Sequence, residues 1–286
     1  VLTAINKETR IKYVSWKSPL EIKKIYTINK DSFICPYCNN EVIFVDGDYI
    51  IKHFRHKIES NCEHEPETQI HLEMKEFIQK IFNLSDNEIE YTKLLQYGFK
   101  PDGFIEKDNI ALEVQHSIIS EKDFILRTKK YSDKGYHVLW IFDKEIVTEN
   151  IPAMIKKAHE IYYGRVYVYN SKDKSIYPIH LIPCKRWIKE FNGYGGYYKY
   201  YKSKKGLKIG NKIKNFQLKK SHNNWKDNNY LLVNFYDKAF WNMGEEIIIK
   251  NENYDDENTC ECGDWKSSEY DYCYDCGFIE KEDYYG

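Results

Sequence analysis

Hydrophobic and polar positions alternate most cleanly over residues 100–117. Read with period two, Ile110, Leu112 and Val114 fall on one side of an extended segment, and Ala111, Glu113 and Gln115 on the other. The segment before it alternates likewise, with Gly103 and Ile105 set against Asp102 and Phe104. Lys107-Asp108 between them predicts a tight polar turn. Centring the turn there sets Asp102 opposite Glu113, Gly103 opposite Leu112 and Ile105 opposite Ile110. Facing Cβ atoms lie about 5 Å apart, so two carboxylates in that register can share one divalent cation. A hairpin with one ordinary wet face accounts for the same alternation.

Around this hairpin the period changes. Over residues 67–83, Ile70, Met74, Phe77, Ile78 and Ile81 recur at helical spacing. At about 100° per residue, Glu67 and His71 project close to that apolar stripe and Lys75 lies at its edge. Polar groups aimed at a core need partners; a first turn emerging into water accounts for Glu67 alone, less well for all three. Residues 88–95 predict a strand. Ser120-Glu-Lys-Asp123 opens a helix with a capping-box-like start, running to about Asp133, with Arg127 and Tyr131 one turn apart. Gly135 ends it. Residues 137–143 are an apolar run of strand length, with Trp140 expected in the core. Further on, 155–163 predicts a helix, and 165–169 and 176–182 predict strands. Residues 1–30 alternate weakly and predict a small β element.

Charge changes the picture after residue 184. The net charge of the 286 residues is −1, but residues 185–226 hold thirteen Lys and Arg against the single acid Glu190. Residues 245–286 hold fourteen Asp and Glu against Lys250, Lys266 and Lys281. A basic block suits a polyanion, and an acidic tail suits a partner or an internal mask. Within the basic block, Lys199, Lys202, Lys204 and Lys205 alternate with tyrosines. Lysine attracts phosphate and tyrosine offers a stacking surface for unpaired bases; a solvated, tyrosine-rich hairpin fits equally. No run approaches the ~20 apolar residues of a membrane span. The first residues, with Asn6, Lys7, Glu8 and Arg10, do not read as a signal peptide, so a cytoplasmic setting is expected.

In that setting clustered cysteines predict metal before disulfides. Cys35 and Cys38 at C-x-x-C spacing are followed, after fourteen intervening residues, by His53 and His56. Two thiolates and two imidazoles complete a Zn²⁺ tetrahedron, with Cys62 and His64 near enough to compete for a place and Phe54 expected to pack on the knuckle. Cys260, Cys262, Cys273 and Cys276 form two close pairs ten residues apart and predict a zinc ribbon, in a segment too small and acidic to fold on a core of its own. Cys184 stands alone.

Pro101-Asp102 followed by Glu113-x-Gln115 resembles the PD-(D/E)xK signature of metal-dependent nucleases, with glutamine in the place usually held by lysine. The order helix, strand, strand, strand, helix, strand over residues 67–143 is that of the restriction-endonuclease-like core. The chain is therefore expected to be an α/β (α+β) protein with such a core, an N-terminal zinc knuckle and a C-terminal zinc ribbon. It divides into a β element and Cys/His knuckle (1–64), the nuclease core (65–145), a mixed extension with the basic block (146–244) and the acidic ribbon (245–286).

Cys35-Pro-x-Cys38, His53-Phe-x-His56, Glu67, His71, Lys75, Asp102, Glu113-x-Gln115-x-Ser117, Arg127, Tyr131 and Trp140, in that order, resemble the competence protein CoiA family over roughly residues 30–143. The Cys62/His64 pair and the long C-terminal extension depart from the pattern. The resemblance implies a DNA nuclease handling DNA taken up in transformation; a related nuclease defending against invading DNA fits as well. On this reading Mg²⁺ or Mn²⁺ is held by Asp102, Glu113 and the Val114 carbonyl, with Glu67 in support. Gln115 orients the attacking water, and His71, Lys75 or Arg127 supplies the positive charge that glutamine lacks. The competing class is a non-catalytic zinc-containing DNA-binding or adaptor protein that keeps the fold without turnover.

Overall fold

The computed structural model describes residues 1–58, 62, 67–148, 151–189, 196–225 and 228–236. The N-terminal part holds β1 (Thr3–Asn6), β2 (Lys12–Val14), α1 (Pro19–Ile28) and β3 (Phe33–Ile34), with the three strands paired in the order β2-β1-β3. Strands β1 and β2 are the β element expected within residues 1–30, and α1 is a helix that the weak alternation there did not indicate. Its sequence mark is Pro19 in the first turn, where the missing N–H removes nothing. A hairpin of β4 (Val42–Val45) and β5 (His53–His56) follows. Phe54 is fully buried, with its ring centroid 5.4 Å from those of both Phe33 and Phe44. Cys35 belongs to the same cluster, and Cys38 and Cys62 pack against it, so Phe54 lies in one core with these cysteines.

Then come α2 (Gln69–Ile81), β6 (Gly103–Ile105), β7 (Ile110–Gln115), α3 (Glu121–Asp133), β8 (His137–Asp143), α4 (Ala153–Ile161) and β9 (Val166–Asn170). Four longer strands complete the described chain: β10 (Ser175–Lys189), β11 (Gly196–Ile209), β12 (Leu218–Trp225) and β13 (Asn228–Phe235). Strands β6 to β13 form one eight-stranded sheet. It runs β6-β7-β8 and then divides. The start of β8 meets β13 through the pair Val138 and Leu232, while its end, Ile141 to Asp143, pairs with Tyr167 to Tyr169 of β9. The pairings β7-β8 and β8-β9 are parallel, each joined by a crossover helix, α3 and α4.

The hairpin register is the expected one: Gly103 pairs with Leu112, Phe104 with Ala111 and Ile105 with Ile110. Both its faces are covered, however, so neither is wet. Ile105, Ile110, Leu112 and Val114 pack under α2 against Met74 and Ile78. Phe104, Ala111, Trp140 and Phe142 pack under α3 and α4 against Phe124, Tyr131, Met154 and Ile155. A strand with helices on both faces is apolar throughout except where function intervenes, and all six residues of β7 are buried, Glu113 and Gln115 among them.

The capping signals hold. Ser120 Oγ accepts from the Asp123 N–H at 3.0 Å, and Gly135, with φ of 79°, stands just past the end of α3. Residues 88–95 are not a strand. They make one isolated bridge, Ile89 with Gly103, because Glu90 takes a left-handed φ of 46°, which an extended segment cannot contain.

The basic block includes the β10-β11 hairpin, where Arg186 pairs with Lys199 and Cys184 with Tyr201. Lys199, Lys202, Lys204 and Lys205 all belong to β11. Cys260, Cys262, Cys273, Cys276 and His64 lie outside the described residues. Among the described residues no helix is long and apolar enough to cross a membrane.

Candidate metal centres and active site

Among the described residues two groups of side chains are able to hold a metal ion, and the chain builds them from adjoining elements. The first contains Cys35, Cys38, His56 and Cys62, whose ligand atoms all lie within 4.8 Å of one another. Cys38 Sγ is 3.2 Å from His56 Nε2. His53 does not join them, which corrects the ligand set expected from sequence. On an extended strand, residues three apart point to opposite faces, so His53 and His56 of β5 cannot both reach the knuckle. His53 turns its Nδ1 to the Ile51 carbonyl at 2.7 Å instead, and Cys62 takes the fourth place. Strand parity in the sequence was the signal for this. Burial lowers the His56 pKa, keeping the imidazole neutral as a ligand must be, and pushes the Cys35 thiol up to about 12. Three sulfurs and one nitrogen suit Zn²⁺.

The second group contains Glu67, His71 and Asp102, again within 4.8 Å. Glu67 precedes α2 rather than lying on it. Thr68 is the N-cap, its Oγ1 accepting from the His71 N–H at 3.3 Å, and the extended backbone there still swings Glu67 back over the first turn. His71 Nε2 is 3.3 Å from Asp102 Oδ1, and His71 Nδ1 is 3.7 Å from Glu67 Oε1. His71 Nε2 and Glu67 Oε2 are both buried, and Glu67 Oε2 is ion-paired to the Val1 ammonium at 2.9 Å. Two carboxylates and an imidazole whose ligand atoms converge in this way fit a divalent cation such as Mg²⁺ or Mn²⁺.

Beneath this group lies Lys75, only 1 % exposed. Its Nζ meets Glu67, Glu90 Oε1 at 3.1 Å and Asp102 Oδ1 at 3.3 Å. Burial works against the ammonium, but the three carboxylates outweigh it and hold the lysine pKa well above its ordinary value. Burial likewise opposes ionisation of Asp102, and His71 and Lys75 overcome it, leaving that carboxyl below its usual range. Glu67 is held down in the same way, with Lys75 the main opposing charge. Glu67 Oε2 also meets the Val1 ammonium, so Lys75 shares the three carboxylates with a second positive group.

Glu90 escaped the sequence reading. Alternation with Ile89 and Tyr91 would have turned it to solvent, yet it is fully buried. Its carboxylate accepts from the Leu2 and Thr3 N–H groups at 2.8 and 2.9 Å and from Thr3 Oγ1 at 2.6 Å. Through Lys75 it ties the N-terminal sheet to the floor of the second group. Its left-handed backbone is what aims it inward.

Asp102 and Glu113 sit across the hairpin as expected, but their side chains have different partners. Asp102 Oδ2 accepts from the Val114 N–H at 3.0 Å. Glu113 Oε2 is 2.5 Å from Arg127 Nη2, and its Oε1 accepts from the Tyr131 hydroxyl. Burial pushes the Glu113 carboxyl up to about 7 despite Arg127, and the nearby Asp102 charge adds to the rise. Arg127 Nη1 also donates to Gln115 Oε1 at 3.3 Å, and Gln115 Nε2 donates to the Ser117 carbonyl and hydroxyl at 2.9 and 3.0 Å. The guanidinium lies 4.8 Å over the Trp140 ring, whose Nε1 is fixed on Thr128 Oγ1 at 3.1 Å. The structure thus brings Glu67, His71, Lys75 and Asp102 together, and sets Glu113, Gln115 and Arg127 beside them as a second linked group.

The family model described as competence protein CoiA, N-terminal domain, matches residues 18–65, and that described as competence protein CoiA, nuclease-like domain, matches residues 67–188. No curated protein and no solved structure matches the chain. The two matches meet between the thiol-rich knuckle and Glu67, cover both metal-capable groups, and take in the hairpin that carries Asp102 and Glu113. This chain belongs to the competence protein CoiA family, with its N-terminal and nuclease-like domains in succession.

Proposed function

We propose that the protein is a Mg²⁺- or Mn²⁺-dependent DNA nuclease, hydrolysing phosphodiester bonds in DNA uptake and recombination or in defence against foreign DNA. The observation that carries the reading is the Glu67, His71 and Asp102 group, within 4.8 Å and lying beside Glu113, inside a nuclease-like domain. Glu67, His71, Asp102 and Glu113 would hold the cation, with the Val114 carbonyl as a further oxygen. The bound cation polarises the scissile phosphate and supplies a water of lowered pKa. Gln115 offers a donor and an acceptor without charge, suited to orienting a water and not to neutralising a phosphate. Lys75 is too deeply buried to meet a phosphate, and it balances the carboxylates from below. Arg127, with a side chain 40 % exposed, is the positive group that faces outward and the one fitted to receive the DNA backbone.

Two structural zinc ions accompany this reading, one on Cys35, Cys38, His56 and Cys62 and one on Cys260, Cys262, Cys273 and Cys276. The lysines of β11 offer further phosphate contacts, and the acidic ribbon offers a surface for a protein partner. Incubating the full chain with labelled DNA in Mg²⁺, Mn²⁺ or EDTA tests the proposal. Cleavage is expected with either cation and not with EDTA, and Glu113→Gln is expected to lose cleavage while still binding DNA. DNA binding with no cleavage under any cation would favour the non-catalytic adaptor.

A further inference from the structure

Carried one step past the Gly103–Leu112 pair, the hairpin register puts Asp102 opposite Glu113, yet of the two Asp102 alone belongs to the cation-ready group. Both Glu113 oxygens are taken, one by Arg127 Nη2 at 2.5 Å and the other by Tyr131. Arg127 spends a second nitrogen on Gln115 Oε1 at 3.3 Å, so one guanidinium restrains both side chains that the hydrolysis would employ. The three differ in access. Glu113 is 1 % exposed and Gln115 7 %, whereas the Arg127 side chain is 40 % exposed. A polyanion arriving from solvent therefore reaches the guanidinium before it reaches either partner. Trp140 supports the flat guanidinium from one side at 4.8 Å, leaving its nitrogen edge to choose between acceptors in one plane.

Resting on the nuclease reading, we infer that Arg127 is a substrate-operated latch: a DNA phosphate takes its guanidinium edge, and Glu113 and Gln115 are thereby released towards Asp102 and the cation. A phosphodiester accepts two parallel N–H bonds as a carboxylate does, so the exchange replaces like with like. The released Glu113 regains its missing charge partner by joining the cation, which costs less than leaving a buried carboxylate alone. Cation binding and DNA binding then strengthen one another reciprocally, and the free protein holds its cation weakly. Arg127 acts here as a positioning residue as well as a phosphate contact.

The test reads cation binding without turnover. Free Mn²⁺ is measured by electron paramagnetic resonance during titration of the full, zinc-loaded chain, with and without a phosphorothioate DNA duplex carrying a single-stranded tail. The duplex is expected to tighten Mn²⁺ binding by the wild type by about tenfold or more, the scale of one charge-assisted contact. Arg127→Met is expected to bind Mn²⁺ that tightly with no DNA present, and to gain little more when DNA is added. Removing a nearby positive charge would tighten any cation site, so the double variant Arg127→Met/Glu113→Gln separates the causes. Under the latch the gain disappears with Glu113. Equal Mn²⁺ affinity in wild type and Arg127→Met, or a gain that survives Glu113→Gln, overturns it. Should Arg127→Met not fold, the wild-type comparison decides: an affinity indifferent to DNA overturns the latch. Each of these results stands whether or not DNA is cleaved, so failure of the latch is distinct from failure of the nuclease reading.

Discussion

Lys75 is the residue on which most charge converges, meeting Glu67, Glu90 and Asp102 in the floor of the site. Removing one partner of a buried ionic group leaves the others uncompensated, at a cost of about 3–5 kcal/mol. Lys75→Met is therefore expected to lower the unfolding free energy by about that amount in urea titrations, whereas Lys129→Met, which breaks an exposed pair with Asp133, should cost under about 0.5 kcal/mol. A small effect at Lys75 would mean that the carboxylates around it are satisfied in some other way. The thiol-rich centre gives a second residue-scale prediction. Cys62→Ser should leave the purified protein one zinc short of wild type by elemental analysis, and His53→Ala should keep the full complement. The reverse would restore the sequence-derived ligand set. These residues also show what the sequence made legible. Cys35, Cys38, His56, Asp102 and Glu113 stood out because their chemistry and spacing act together within short segments. Cys62 competes with His64 in the sequence; the parity of β5 removes His53, and the convergence of Cys62 with Cys35, Cys38 and His56 is visible only in three dimensions. Glu90 was hidden because a left-handed backbone reverses the direction in which alternation points a side chain.

At the scale of elements, the hairpin, α2, α3 and β8 were readable because each combines a clear period with a recognisable end. Ser120 and Gly135 bracket α3, and Lys107-Asp108 sets the β6-β7 register. Failures fell where the backbone departs from both periods, as at residues 88–95, or where a short helix of modest apolar content follows weak strands, as in α1. The close fit of α2 on β6 has a measurable consequence. A Cβ on Gly103 would stand 2.8 Å from Leu84 Cδ1 and 3.2 Å from Ile78 Cδ1. Both neighbours are buried, at 3 % and 0 % exposure, so neither can swing into open space. Gly103→Ala should destabilise the protein by about 1–3 kcal/mol through overpacking, read as a lower urea midpoint at unchanged slope. An unchanged midpoint would show that α2 and β6 pack less closely than described. Since α2 carries His71 and Asp102 immediately precedes β6, this contact also sets the spacing of His71 and Asp102 in the metal-capable group.

Across the whole molecule, the two metal-capable groups are joined by covalent and ionic links. The knuckle follows β3, β3 pairs with β1, and the β1 backbone is held by Glu90, which meets Lys75 below Asp102. Lys12 of β2 adds bonds to the Ile89 and Glu90 carbonyls at 2.6 and 3.0 Å. Strands β1 and β2 thus brace the segment that carries Glu90 through polar contacts that a sequence cannot display, because they join residues more than seventy positions apart. The sheet also continues beyond the segment that the sequence assigned to the core, through β9 to β13, and β13 returns to touch β8 itself. The central claim is that these parts serve cation-dependent hydrolysis of DNA at Asp102. Its most direct test is cleavage of labelled DNA in Mn²⁺ by the wild type and by Asp102→Asn, matched for zinc content and urea midpoint. Cleavage is expected from the wild type, and its loss, by about a hundredfold or more, in Asp102→Asn. Equal cleavage by the two proteins, or none by the wild type, would contradict it.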